Sequence, residues 1–370
     1  APVLPVSGLT GQGVPELIAA LGEAAERLPP RARSAVFRMP VDRSFSIKGF
    51  GTVVTGTTRD GRLSGSSTLE VLPGRQSVRI RGVQVHGEQA EEVGRGTRVA
   101  LNLVGMDPDS VPPGSWLATP QSLACSDRID VRFDLLPSSP WPLENNASVR
   151  FLCGTAELMA TVRLIDPGGG PAPERLEPGA AGLAQLALSD EAGAVAGDRF
   201  VLRWESPMLT IGGGVILDPE PPLLRRRERK PAAALLRALS DAGLDAAGRA
   251  GALLHRCPGE ALDLDALRRR LPPGAGSAEE AATRAVEGGA AAPLQTGRPS
   301  WVGTEVVHAW APRIGAFIDR HHEEHPLLDG PLLVEARQTL LPRPDERVFE
   351  ALLPALCAAS GLEHRGARLA

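Results

Sequence analysis

Between residues 34 and 218 the chain is a succession of short segments that alternate apolar and polar residues and are separated by glycine or proline turns. Ser77-Val78-Arg79-Ile80-Arg81-Gly82-Val83, Gly96-Thr97-Arg98-Val99-Ala100-Leu101-Asn102-Leu103 and Arg128-Ile129-Asp130-Val131-Arg132-Phe133-Asp134 all have a period of two. In an extended strand successive side chains point to opposite faces, so each segment reads as a half-buried antiparallel strand with one apolar face. Val36-Phe37-Arg38-Met39 leads in, Gly51-Thr52-Val53-Val54-Thr55-Gly56 is a strand bounded by glycine, and Asp60-Gly61 and Pro73-Gly74 mark tight turns. About six such strands over residues 34–120 predict a small closed barrel.

Residues 124–218 repeat the style. Ala160 to Leu164, Gly182 to Leu188, Arg199 to Trp204 and Thr210 to Asp218 supply further strands, and a second barrel is expected there. The run Gly212-Gly213-Gly214 reads as a bulge or a close backbone approach rather than a phosphate loop. Apolar residues make up 42% of the chain, but aromatics only 4%, with no tyrosine, so the cores of these barrels must be largely aliphatic.

The flanks follow a different period. Residues 1–30 read as a short apolar strand, a Ser7-Gly8-Leu9-Thr10-Gly11-Gln12-Gly13 turn and a helix with Leu17, Ile18, Leu21 and Ala25 on one stripe. Glu16 favours the positive end of the helix dipole, and Pro29-Pro30 stops the run. One strand and one helix cannot bury a core, so this is expected to be the last unit of a larger α/β domain. A start without methionine fits a fragment. Residues 219–231, with Pro221-Pro222 and Arg225-Arg226-Arg227-Glu228-Arg229-Lys230, read as a linker. Beyond it helices are predicted over 232–239, 264–271, 310–322 and 345–359, the last with Phe349, Leu352, Leu353 and Leu356 on one stripe, a kink at Pro354 and Gly361 as C-cap. Residues 274–299 are rich in alanine and glycine and define no element, while Leu362 to Arg365 begins a strand. Helices of this size suit two winged-helix units, over 232–303 and 304–370.

Charge and cysteine usage narrow the function classes. A net charge of −4 leaves no general footprint for nucleic acid, and lysine occurs only at Lys48 and Lys230. Cys125, Cys153, Cys257 and Cys357 are scattered, which argues against a zinc site or a disulfide framework and fits a reducing cytoplasm. No apolar run is long enough to span a membrane.

Val41-Asp42-Arg43 followed by Gly49-x-Gly51-Thr52-Val53-Val54-Thr55-Gly56 is the stretch with the most chemistry. No third glycine opens a helix and no Lys-Ser/Thr pair follows, so the glycines serve backbone geometry rather than a nucleotide. Asp42 and Arg43 alone could be a surface ion pair. Taken with Arg38-Met39-Pro40, Gly96-x-Arg98-Val99-Ala100-Leu101-Asn102-Leu103 and Thr210-Ile211-Gly212-Gly213-Gly214, however, the stretch resembles the barrels of translational GTPases, and more narrowly those of the selenocysteine-specific elongation factors. His325-Pro326-Leu327-x-x-Gly330 extends the similarity to the tail.

The resemblance implies a pocket on the first barrel for the aminoacyl end of selenocysteinyl-tRNA. Asp42 would face the α-amino group, and Arg43 and Arg98 would suit an ionised selenol. The alternative for Arg98 is a strand-edge ion pair, and His86 could line the pocket or simply turn the chain. Ser7, Gly8 and Leu9 resemble a guanine-side loop, although the family more often has alanine where Gly8 stands. The resemblance also implies GTP with Mg2+ in the complete protein, and the ribosome and an mRNA hairpin as partners of a monomeric cytoplasmic factor. The phosphate loop and the Asn-Lys-x-Asp segment do not occur in this sequence, so neither GTP turnover nor a bound cofactor is expected of this chain. Arg268, Arg269 and Arg270 are candidate phosphate contacts or a solvated helix face. His321, His322 and His325 lack an acidic or thiol partner set, which argues against a metal. The competing readings are a general elongation or initiation factor, and a winged-helix module binding DNA.

Overall fold

The structure is a computed structural model that describes residues 3–28, 34–166, 170–224, 229–241, 243–294, 297–340 and 344–369. The chain divides into two compact units, residues 1–33 and 34–370. In the first, Val14–Arg27 is the expected helix, with Pro15 in its first turn, Glu16 at its positive end and no buried residue. Its stripe of Ile18 and Leu21 lies exposed. The strand expected before it does not form: residues 3–7 are irregular, because among the described residues no partner strand takes up their backbone groups.

The larger unit begins with two closed six-strand antiparallel barrels. Around the first, Thr68–Leu72, Trp116–Ala118, Arg38–Ile47, Gly51–Thr57, Arg98–Leu103 and Gln76–Val85 pair in turn, and the last closes onto the first. Its core is largely aliphatic, with Val41, Val54, Leu69, Ile80, Val99 and Leu101 all buried beside Phe37 and Met39. Pro73-Gly74 turns the chain between two adjacent strands as expected. Asp60-Gly61 does not: Asp60 bridges back to Arg38, so the segment leaves the barrel wall instead of forming a hairpin.

The second barrel pairs Ala124–Leu135, Ala181–Ala194, Ala156–Ile165, Ser148–Cys153, Arg199–Arg203 and Thr210–Asp218 in order and closes the same way. Here three phenylalanines, Phe133, Phe151 and Phe200, supplement the aliphatic core, and the last two stack with ring centroids 5.4 Å apart. The triple glycine is a close approach: a Cβ on Gly212, Gly213 or Gly214 would overlap the carbonyl oxygen of Asp134, Phe200 or Arg132 respectively.

The barrels are joined through buried charge as well as apolar contact. Arg38 reaches Asp60 through Nε and Asp198 through Nη1, both at 2.6 Å, with Trp116 stacked 5.5 Å from its guanidinium. Leu72, Trp116, Leu123 and Val195 pack beside it.

Beyond residue 228 the chain is helical. Arg229–Ser240, Ala246–Arg256, Leu264–Arg270 and Ala278–Glu287 pack around a small sheet made of Leu262–Asp263, Ser300–Gly303 and Ala291–Pro293. The second and fourth of these helices and the hairpin after them are among the elements absent from the sequence reading, as are Leu262–Asp263 and the later helix Leu333–Gln338. Residues 225–228 of the expected linker lie outside the described residues. Val306–Glu324, Leu333–Gln338 and Glu346–Ser360 follow, with a hairpin of His364–Arg365 and Arg368–Leu369. Gly361 is the expected left-handed cap, with φ of 68°.

The first helical unit is sealed onto the second barrel. Asp130 and Asp218 sit opposite each other on neighbouring strands, both fully buried. Alone, two such carboxylates would repel and lack solvation. Arg256 donates Nε to Asp130 at 3.0 Å, and Arg270 donates Nε and Nη2 to Asp218 at 2.9 and 2.5 Å. Gln185 donates to Asp130 at 2.8 Å and receives Leu224 N at 2.9 Å. Ile165, Leu183 and Leu217 of the barrel share one apolar core with Ala233, Leu236 and Leu253 of the helices.

Burial raises the Asp130 carboxyl to about 6, with Asp218 adding to the rise, while Arg256 and Gln185 hold it back. A carboxyl raised on folding binds its proton more readily in the folded chain. Its contribution therefore favours the fold as pH falls from about 6 towards the unfolded value near 4. Asp130→Asn is expected to remove that contribution, and denaturant titrations at several pH values between 4 and 7 check it: an unchanged pH profile would contradict the assignment.

Candidate binding site on the first barrel

The pairing of Arg38–Ile47 with Gly51–Thr57 slips by one residue between Val41 and Arg43, so Asp42 is the extra residue of a β-bulge. A bulge re-aims side chains, and here it turns Asp42 along the barrel wall while Val41 stays in the core. The carbonyl of Val41 is held from two sides, by Gly114 N at 3.0 Å and by the Thr155 hydroxyl of the second barrel at 2.7 Å.

Gly56 pairs with Val41 on one side and Val99 on the other, and Thr57 pairs with Arg98. Asp42 and Arg98 thus lie on strands flanking Gly56. A Cβ there would collide with the Pro40 carbonyl and with Met39, so only glycine fits. On the outer face, across the strand that carries Gly56, Arg98 donates Nη1 to Asp42 Oδ2 at 2.5 Å and Nη2 to Asp42 Oδ1 at 3.2 Å. Thr55 donates its hydroxyl to Asp42 Oδ1 at 2.6 Å. Partial burial works against the Asp42 charge, but the bonds from Arg98 and Thr55 and the nearby charges of Arg98 and Arg43 outweigh it and hold the carboxyl below its usual range. Arg43, paired in register with Thr55, is exposed and forms no ion pair among the described residues. The result is one fixed carboxylate and two guanidiniums on a single face of the wall, a site for a ligand that carries both charges.

The glycines ahead of the site are geometric, as expected. Gly49 and Gly51 have φ of 86° and 85° and turn the chain at the end of the hairpin. His86 and Gly87, with φ of 54° and 88°, make the two-residue turn between Val85 and Glu88. Thr55 and Thr155 are the site residues that the sequence reading missed: register and the contact between barrels bring them in, and neither leaves a local signal.

The other expected positions lie elsewhere. Ser7 closes a turn, accepting Thr10 N at its hydroxyl and Gly11 N at its carbonyl. Gly8 has open space around it, so the alanine that the family favours would fit there, and Leu9 is exposed. Arg270 is not a phosphate contact, because its guanidinium is 2% exposed and spent on Asp218. Arg269 pairs with Glu220 at 3.2 Å, and Arg268 pairs with Asp265 on the open face of its helix. His321 lies within ring contact of His322 and His325, but no group of three or more ligating residues among the described residues is placed to hold a metal.

Two consecutive six-strand barrels with this hairpin, followed by a helical region, are the arrangement of a translation-factor class of protein. Residues 126–223 match the family model described as "Selenocysteine-specific elongation factor, beta-barrel domain", and residues 316–370 match "Elongation factor SelB, winged helix". The selenocysteine-specific elongation factor of Desulfomicrobium baculatum is 38% identical over 229 residues, covering 62% of this chain and 35% of that protein. Its Escherichia coli counterpart is 27% identical over 352 residues, covering 90% of this chain and 50% of that one. Elongation factor Tu 2 of Streptomyces avermitilis is 30% identical over 174 residues, covering 44% and 45%. The crystal structure of a bacterial selenocysteine-specific elongation factor superposes with a TM-score of 0.67 at 20% identity, over 98% of this chain and 54% of that one, a likeness of fold. The second barrel and the end of the tail thus match domains of the selenocysteine-specific elongation factors, and the chain is similar to such factors over most of its length. It spans about a third to a half of the length of these two selenocysteine-specific relatives.

Proposed function

We propose that this chain recognises the aminoacyl end of selenocysteinyl-tRNA at Asp42, Arg43 and Arg98. It would serve a cytoplasmic, monomeric factor that delivers this tRNA to ribosomes at recoded UGA codons. The observation that carries the reading is the bulge that sets one carboxylate beside two guanidiniums. Asp42 would bind the α-ammonium. A selenol is more acidic than a thiol and is an anion at neutral pH, while the serine hydroxyl is neutral. Two guanidiniums in a partly desolvated site favour the anion, so selectivity follows from charge.

GTP with Mg2+ would be held mainly by residues that this sequence does not contain. Among those present, the turn at Ser7 leaves the N–H groups of Gly8 and Leu9 without protein acceptors among the described residues, which suits contact with a guanine edge. Arg268, on the open side of its helix, is the remaining tail arginine of the three for RNA phosphate, and an mRNA hairpin would be read by the tail. The winged-helix match favours this reading over a general elongation factor, which the barrels alone would also fit.

Titration of the chain with selenocysteinyl-tRNA and seryl-tRNA is the test. The selenocysteine form is expected to bind at least tenfold tighter, the scale of a charge-assisted contact in a partly desolvated site. Arg98→Ala should remove most of that ratio. Equal affinity of the unmodified chain for both tRNAs would refute the proposal.

A further inference from the structure

We propose that Asp42 and Arg98 form a self-closing latch, which only a ligand carrying both an ammonium and an anion can replace, so that recognition of the amine and of the side chain is coupled. The inference rests on the reading of this site as an aminoacyl pocket and concerns how the pocket discriminates.

Both Nη groups of Arg98 are spent on the two oxygens of Asp42. In this arrangement the carboxylate that would take an ammonium and the fork that would take an anion neutralise each other. The Thr55 hydroxyl fixes Asp42 Oδ1 from the neighbouring strand, and the bulge that carries Asp42 is pinned at the Val41 carbonyl by Gly114 and Thr155. Arg98 is the first residue of its strand and its side chain is 54% exposed, so it is the partner that swings.

An entering ammonium draws on Asp42 and loosens its hold on Arg98. If the ligand side chain is an anion, the released guanidinium takes it and both charges are matched again, with Arg43 alongside. If the side chain is a neutral hydroxyl, the fork of Arg98 has lost its carboxylate and gained nothing comparable, and the latch closes again at the ligand's expense. An anion without an ammonium fares no better, because Asp42 keeps its claim on Arg98. Discrimination therefore arises from an exchange of partners, and a partly exposed pair suits it because opening the pair in water costs little. A pocket with Arg98 permanently free would bind either charge independently of the other.

The test is a double cycle. Selenocysteinyl-tRNA and seryl-tRNA, each with a free and with an N-acetylated α-amine, are titrated against the chain and against Asp42→Asn. Acetylation adds the same bulk to both tRNAs, so its steric cost cancels in the comparison. The latch requires acetylation to weaken the selenocysteine form by about fivefold more than the serine form, the factor that a partly exposed charge pair is worth. In Asp42→Asn that excess should vanish. Equal losses on acetylation, with selenocysteine still preferred, would overturn the latch and leave the anion pocket standing. An excess that survives in Asp42→Asn would also overturn it. No preference for selenocysteine in the unmodified chain would overturn the pocket reading and the latch together.

Discussion

Arg270→Met is expected to lower the stability of the chain by about 3–5 kcal/mol, the range for one partner removed from a buried ion pair. The methionine fills most of the arginine volume, so the loss is not a cavity. It comes from Asp218, which is fully buried opposite an equally buried Asp130 and would lose two hydrogen bonds to its charge. The Cys257 sulfur would lose its contact with Arg270 Nη1 as well, at 3.2 Å. Adding Asp218→Asn in the same chain should recover at least half of the loss, because the amide needs no counterion and can still accept from Glu220 N. Denaturant unfolding of the two variants, followed by tryptophan fluorescence, measures both. A single variant as stable as the parent would mean that the carboxylate does not depend on its arginine. A double variant no better than the single one would place the cost in packing.

Gly214→Ala is expected to cost about 3 kcal/mol or more, at the upper end for overpacking. The added Cβ would strike the carbonyl oxygen of Arg132 and the Cα of Phe133, 2.6 Å away, both backbone atoms of the paired strand. A side chain could rotate aside, but a strand in a closed barrel cannot move without lengthening ladder bonds to its other neighbour. Gly8→Ala, with open space at its Cβ, is the matched control and should change stability by less than about 0.5 kcal/mol. Thermal unfolding of both variants decides the point, and a Gly214→Ala chain that melts with the parent would show that the barrel yields there.

Both barrels were legible in the sequence because alternation and turn glycines are local properties, and each strand there carries them. The triple glycine was legible for the same reason. What could not be read was anything decided by contact between distant segments. Asp130 falls on the polar phase of a regular strand and looks like an outward residue, yet it is fully buried, because helices more than a hundred residues later cover that face. Arg270 sits in a run of three arginines that resembles a phosphate contact, and only the fold shows that this one turns inward. At the candidate site the charged residues came from family likeness, whereas the slip in register that aims Asp42, and the two threonines that steady it, came from geometry. The helix Ala246–Arg256 was hidden by its composition, since Leu253 and Leu254 are the large apolar residues on a buried side otherwise made mostly of alanine and glycine.

The seal between the second barrel and the first helical unit bears on how force passes through the chain. Two greasy surfaces can shear across each other, since one methyl contact is much like the next. Arg256 and Arg270 each hold one particular carboxylate, and a shift of even a few ångströms would strand four charges away from water. The joint therefore behaves as a keyed coupling rather than a bearing. Torque applied to those helices is passed to the second barrel through these pairs, and on to the first through Arg38.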